Sequence, residues 1–139
     1  MAYTTYSEFL LRLGQLHVTG VTRRYLLTET PPASLNTADL PAMWVQEPKG
    51  EAEVISGGGG GRATWQTFNG RLIVATCPAA QSTLATAFNA AVTMMDSVVY
   101  ALQGSNLADS ATTWELRMAD VTVAGVVYWA VIAEVHAKG

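Results

Sequence analysis

Residues 126–135, VVYWAVIAEV, decide the fold of this chain. Apart from Glu134 the stretch is apolar on both alternating faces, and it is rich in β-branched and aromatic residues. Such a run predicts a strand in the interior of a sheet, with both sheet faces covered. The sequence leaves two sources for the second cover, a neighbouring subunit or loops of the same chain folded over the sheet.

The segment before this strand predicts its hairpin partner. Residues 114–118, WELRM, alternate apolar and charged side chains, the pattern of a half-buried strand. The apolar positions then shift to Val121 and Val123, which predicts a bulge near Asp120. The pair Ala124-Gly125 is expected to turn the chain into the last strand.

Two helices are predicted upstream. The first helix is predicted over residues 5–17. Thr5 is followed three residues later by Glu8, the spacing of a capping box at a helix N-terminus. A longer helix is expected near 79–103, ended by Gly104. Its apolar face is predicted to contain Leu84, Phe88, Ala91, Met95, Val98, Val99 and Leu102.

A glycine-rich stretch interrupts the first half of the chain. Residues 49–62, KGEAEVISGGGGGR, are predicted to form a flexible loop, because successive glycines raise backbone entropy and supply no side chain for packing. A short strand stopped by Pro48 precedes the loop, and Asn69-Gly70 predicts a turn or bulge after it. Neither flank is expected to fold alone, so residues 1–139 are predicted to form a single domain.

The order of these elements predicts the fold class. Strands before and after one long helix, ending in a hairpin, are typical of an α+β domain. We expect a mixed, mainly antiparallel sheet of four to five strands packed against two helices.

Composition restricts the function. Half of the 139 residues are apolar and 14% are charged, which excludes intrinsic disorder as the main state. A net charge of -3 argues against a general binder of nucleic acid or anionic membranes. The single cysteine, Cys77, cannot form an internal disulfide or supply a zinc cluster.

Few residues suggest chemistry. His17 and His136 lack the spacing of a zinc-binding helix, and Cys77 has no predicted base beside it. Glu115 and Glu134 lie on neighbouring predicted strands and leave open a carboxylate pair for acid–base catalysis, although solvated charges are the preferred interpretation. We therefore predict a non-enzymatic protein with no catalytic residue, no cofactor and no metal site.

Interaction with other proteins is the expected role of several residues. Tryptophan is enriched at interface hot spots, and the charged residues of the loop and of the TRRY segment can meet a charged partner. The predicted interface residues are Arg23, Arg24, Trp44, Lys49, Glu51, Glu53 and Arg62.

Four segments together resemble a known family. They are GVTRRY (20–25), TADLPAMWV (37–45), GRLIVAT (70–76) and GVVYWAVIAEV (125–135), placed around the long loop and the alanine-rich helix. In element order and size, over nearly the whole chain, this layout resembles the tail terminator (tail-completion) proteins of long-tailed bacteriophages.

The resemblance implies a structural virion protein. Members of that family form a ring, usually a hexamer, that caps the head-proximal end of the tail tube, stops its polymerisation and joins the tail to the neck. The implied partners are further copies of the chain, the tail-tube protein and the head-tail connector proteins. The resemblance also implies that DNA passes through the channel without specific binding, that no membrane is involved, and that assembly takes place in the host cytoplasm.

Two other classes remain open. Another neck or tail component, such as a head-completion (stopper) protein or a tail-tube subunit, shares the small size, the mixed sheet and the long loops. More distant is a small-ligand-binding α+β domain, which requires an apolar pocket with convergent polar groups.

Overall fold

The α+β prediction is confirmed by the observed architecture. The computed structural model describes residues 6–25, 32–56, 61–81, 83–104 and 112–138. Within these ranges the helices are α1 (Tyr6–Gly14) and α2 (Leu84–Gln103). The strands are β1 (Arg23–Arg24), β2 (Ala42–Ser56), β3 (Gly61–Pro78), β4 (Thr112–Val123) and β5 (Val126–Lys138).

The five strands form one sheet in the order β1-β2-β3-β5-β4. Neighbouring strands are antiparallel except β1 and β2, which run parallel. The sheet is thus mixed and mainly antiparallel, and β5 lies in its interior as its two-sided hydrophobicity predicted.

Both faces of β5 are buried, in two separate cores. On the face covered by α1 and α2, the helix face, Val131 packs with residues such as Phe9 and Leu72. On the opposite face, the loop face, Tyr128 packs with Tyr25, Leu35, Trp44 and Ile73.

The cover of the loop face comes from the same chain. Leu35 is buried against it, and the hydroxyl of Tyr128 donates a hydrogen bond to the carbonyl oxygen of Leu35 at 3.3 Å. The backbone N–H of Tyr25 also donates to the carbonyl of Met43 at 2.8 Å. Of the two sources left open, a folded-over loop is therefore the one found at this end of the sheet.

The predicted turn of the last hairpin is confirmed. Ala124 and Gly125 both have positive φ, at 52° and 79°. Positive φ at both central residues is the requirement of a two-residue type I′ turn, whose twist matches that of the strands.

The predicted bulge near Asp120 is wrong. β4 pairs with β5 without a register shift from Thr112 to Val123. Leu116 packs against the helix-face core, whereas Val121 packs against the loop-face core. The apolar pattern changes phase because the covered face changes along the strand, and no residue is inserted.

The prediction of a loop over 49–62 is corrected. β2 continues to Ser56 and β3 starts at Gly61, with these two residues paired. Both arms contain β-branched or aromatic residues, and antiparallel pairing satisfies their backbone groups. Only 57–60 lie outside the strands, and those residues lie outside the described ranges.

This hairpin extends past the rest of the sheet. The last residue of β3 that pairs with β5 is Thr67, opposite Lys138. Beyond it, Ala52–Ser56 and Gly61–Trp65 form a two-stranded ribbon. Five residues of strand span about 17 Å, which is the length of this ribbon.

Of the turn or bulge predicted at Asn69-Gly70, the structure has a bulge, and its extra residue lies in the partner strand β2. Gln46 pairs with Arg71 and Lys49 with Asn69, so two residues of β2 oppose Gly70 alone. Pro48, expected to stop the strand, is one of these two, and a bulge tolerates its missing N–H. Asn69 and Gly70 make no turn, but the absence of a Cβ at Gly70 lets α1 approach the sheet.

Both helices are shorter than predicted. α1 ends at Gly14, and Thr5 of the expected capping box lies outside the described residues. α2 starts after Thr83, whose hydroxyl oxygen accepts a hydrogen bond from the N–H of Thr86 at 3.2 Å. Gly104 caps its end as predicted.

The apolar face predicted for α2 is only partly correct. Its buried residues are Ala87, Ala91, Met94, Val98 and Leu102. Leu84 and Phe88, assigned to that face from the sequence, are instead 67% and 57% exposed.

Candidate interaction surfaces

The two arginines predicted at an interface are engaged within the chain. Arg23 forms an ion pair with Asp39 at 3.7 Å, and its guanidinium carbon lies 4.4 Å from the centre of the Tyr25 ring. Arg24 donates hydrogen bonds to the carbonyls of Gln15 at 2.9 Å and Leu16 at 3.2 Å, beyond the end of α1. These contacts hold the β1 segment against α1 and against the 37–39 turn.

Trp44, the third interface candidate, presents no surface to a partner. It is 2% exposed in the loop-face core, edge-on to the Tyr25 ring with centroids 6.4 Å apart. Its indole N–H donates to Gln46 Oε1 at 2.9 Å. The prediction that Trp44 lies at an interface is therefore corrected, because its ring already packs inside the subunit.

The four charged candidates from the expected loop lie on strands. Lys49, Glu51 and Glu53 belong to β2 and pair with Asn69, Thr67 and Thr64 of β3. Arg62 belongs to β3 and pairs with Ile55. Their side chains lie outside the described part of the structure.

Charged side chains gather on the loop face where the covering segment ends. Arg71 binds Glu134 at 2.8 Å, and a hydrogen bond joins the His136 ring to Asn69 Oδ1. Glu115 pairs with Glu134 across the strands. A depression of about 380 Å³ on this surface is lined by Glu115, Leu116, Arg117 and Glu134.

This arrangement favours solvated charges over an acid–base pair. The two glutamates are neighbours, as the catalytic alternative required, but Glu134 is neutralised by Arg71. Glu115 is exposed, so water solvates its carboxylate.

One flank of α2 forms an apolar surface that the sequence interpretation missed. Leu84 is 67%, Phe88 57% and Val92 43% exposed, and Met95 and Val99 continue the row half-buried. We call these five residues the α2 flank. The single charged residue of the helix is Asp96, and depletion of charge is typical of interface cores.

α2 covers the β4 side of the sheet. α1 contacts β2 and β3, whereas α2 contacts β3, β5 and β4. Met94 reaches toward the segment between α1 and β1, since its Cε lies 3.8 Å from a Cβ built at Gly20. By the helix period of 3.6 residues, Leu84, Phe88 and Val92 lie about 80°, 120° and 160° around the helix from Met94, on the flank away from that segment. The sequence signal that could have revealed this exposed flank is a second row of apolar residues beside the buried row.

β4 is an open edge of the sheet. No described strand lies beyond it, and its residues Thr112–Val123 include neither a proline nor a register shift. Such an edge offers unpaired backbone groups to another strand. Between the described residues, neither Glu115 nor Arg117 forms an ion pair.

Residues with metal-binding or nucleophilic side chains are dispersed. His17 lies after α1, whereas Cys77 is half-buried at the end of β3, opposite Trp129. No three His, Cys, Asp or Glu side chains form a group that could hold a metal ion in the described ranges. None of the described helices is long and apolar enough to cross a membrane.

The sequence matches no protein-family model and no curated protein.

Proposed function

We propose that this chain is the tail terminator of a long-tailed bacteriophage. Six copies form a ring at the head-proximal end of the tail tube, where the ring stops polymerisation of the tube and joins the tail to the neck. The resemblance in element order supports this role. The observation that carries it is the presence of two unlike features on one sheet, a ribbon that projects past the ends of the other strands and an open edge strand.

The first is the ribbon of Ala52–Ser56 and Gly61–Trp65, which β2 and β3 form past the end of β5. The second is the open edge of β4 with the α2 flank beside it. A closed ring needs a heterologous contact, in which one patch of a subunit binds a different patch of the next. A projecting ribbon and an open edge strand are two different patches, so they meet this requirement.

The net charge of -3 suits the channel of such a ring. Phosphate-binding proteins concentrate lysine and arginine, and their affinity rises with each phosphate they neutralise. A subunit with an acidic excess lets DNA pass without holding it. The ring's other partners in this proposal are the tail-tube protein and the connector proteins of the neck.

The test is the assembly of the purified chain on tail tubes of its own phage. We expect negative-stain microscopy to show one ring at one end of each tube, and tubes with a ring to elongate no further. A chain that forms long tubes alone is a tail-tube subunit. A chain that binds neither tubes nor necks has no role in tail completion, and either result overturns the proposal.

A further inference from the structure

We propose that two free copies of this chain pair through their β4 edges, antiparallel, with Leu116 of one copy opposite Leu116 of the other. The partner is a second copy of this chain, and the contact continues the sheet from one subunit into the next. This pairing does not depend on the function proposed above.

The choice of register follows from symmetry. A two-fold axis normal to the sheet keeps the helix faces of both copies on one side, so each side chain must meet one of its own face. With the axis at Leu116, Glu115 pairs with Arg117, and Trp114 pairs with Met118. Moving the axis to Glu115 puts two glutamates face to face, and moving it to Arg117 opposes Trp114 to Asp120.

Charge complementarity supports this register. Glu115 and Arg117 are exposed on the loop face, and neither has an ionic partner in the described part of its own copy. The axis at Leu116 creates two Glu–Arg pairs, one on each side of the centre. Opposite charges across neighbouring strands stabilise a sheet, and like charges destabilise it.

The helix-face side chains of β4 are complementary as well. Trp114, Leu116 and Met118 are half-buried and pack against the helix-face core from its rim. Pairing at Leu116 brings these side chains together from both copies, so the rim becomes interior. Apolar cross-strand pairs of this kind, aromatic ones above all, are stabilising.

The α2 flank adds apolar area beside the joined edge. Leu84, Phe88 and Val92 expose on the order of 300 Å² in each copy. A stable interface buries about 800 Å² per partner, with an apolar centre. The paired edges supply the hydrogen-bonded centre of such an interface, and the α2 flank supplies apolar surface next to it.

The pairing has one consequence for the ring, and this consequence rests on the proposed function. A two-fold contact uses the same edge of both copies, so it closes on itself and cannot propagate around a ring. The β4 pair is therefore the state of the free chain, and it must open before the ribbon of a neighbour can reach that edge.

Disulfide trapping tests the register. In a Cys77→Ser background, Leu116→Cys places two thiols at directly opposed positions, where Cα atoms are about 4.5–5.5 Å apart and a disulfide fits. We expect a covalent dimer under mild oxidation. Met118→Cys is the matched control, since its two copies lie about 14 Å apart along the strands and should stay uncrosslinked.

Charge reversal tests the same contact without new cysteines. By light scattering on a sizing column, we expect the unmodified chain to be a dimer. Glu115→Arg and Arg117→Glu each oppose like charges and should raise the dimer dissociation constant at least tenfold. The double reversal restores both pairs and should restore the dimer, whereas the control Thr122→Glu lies outside the paired residues and should leave it unchanged.

Three results overturn the inference: a monomer at all concentrations up to the millimolar range, equal cross-linking of both cysteine variants, or a double reversal no better than the singles. All the charge variants are at exposed positions and should fold. The charge-reversal series therefore tests the pairing even if Leu116→Cys does not fold. Ring formation on tail tubes is measured separately, so a failed dimer and a failed terminator are distinguishable.

Discussion

Gly70 of β3 lies directly under Leu13 of α1. A Cβ built at Gly70 would come within 3.0 Å of Leu13 Cδ2 and 3.2 Å of Phe9 Cε2. Both of those side chains are fully buried, so neither can swing away into solvent. The close approach of helix to sheet therefore requires glycine at this position.

Gly70→Val should destabilise the protein by about 2–3 kcal/mol, because overpacking forces buried side chains off their rotamers. Urea unfolding followed by circular dichroism measures the change in the free energy of unfolding. The control is Gly104→Ala, where the nearest atom to the new Cβ is a backbone oxygen at 3.7 Å. Equal stability of the two variants would show that α1 does not rest on Gly70.

Arg24→Met should destabilise the protein by about 1 kcal/mol. The guanidinium donates to the carbonyls of Gln15 and Leu16, and a cation at a helix C-terminus also favours the helix dipole. Methionine keeps much of the aliphatic length but neither the charge nor the donors. Urea unfolding compares Arg24→Met with Arg24→Lys. The lysine variant should lose less stability than the methionine variant, because lysine keeps the charge and can still donate hydrogen bonds. A methionine variant as stable as the parent contradicts the capping role.

Tyr128→Phe should loosen the segment that covers the loop face. The substitution removes the hydroxyl that donates to the Leu35 carbonyl and leaves that buried oxygen without this donor. The free energy of unfolding should fall by about 1–2 kcal/mol. Limited proteolysis should cut within residues 32–41 faster than in the parent chain. Tyr100→Phe removes a hydroxyl from an exposed ring and should change nothing. Unchanged cleavage of Tyr128→Phe would mean that this bond does not hold the segment.

The two apolar rows of α2 should respond differently to truncation. Val98→Ala, in the buried row, should lower the free energy of unfolding by about 1–3 kcal/mol. At concentrations below the dimer dissociation constant, Phe88→Ser, on the α2 flank, should change it by less than about 0.5 kcal/mol and reduce the binding of an apolar dye. Thermal unfolding and dye fluorescence measure the two effects. A large loss of stability in Phe88→Ser contradicts an exposed flank.

Local signals were enough to predict much of the fold. The Ala124-Gly125 turn and the Gly104 cap depend on backbone preferences of single residues, and the interior position of β5 follows from apolar residues on both of its faces. Each of the three can be inferred from a few neighbouring residues, without knowledge of the distant segments that they contact.

Features set by distant partners were not predictable in the same way. Ser56 belongs to β2 and Gly61 to β3 because the two arms pair with each other. The glycine-rich composition of the segment indicated a loop instead. The phase change at Asp120 looked like a bulge, although its cause is the cover that a segment 80 residues upstream supplies to the loop face. Leu84 and Phe88 were assigned to the core because periodicity alone does not say which of two apolar rows meets the sheet.

The position of β5 between β3 and β4 also bears on how the chain folds. The β2–β3 and β4–β5 hairpins join residues that are close in sequence, whereas pairs such as Phe68 with Ala137 join residues separated by the whole of α2. Contacts of such long sequence separation slow folding, because the entropy of closing the chain is lost before the contact forms. The docking of one hairpin onto the other is thus the step expected to set the folding rate. During synthesis the inner edge of β3 stays unpaired until β5 has left the ribosome.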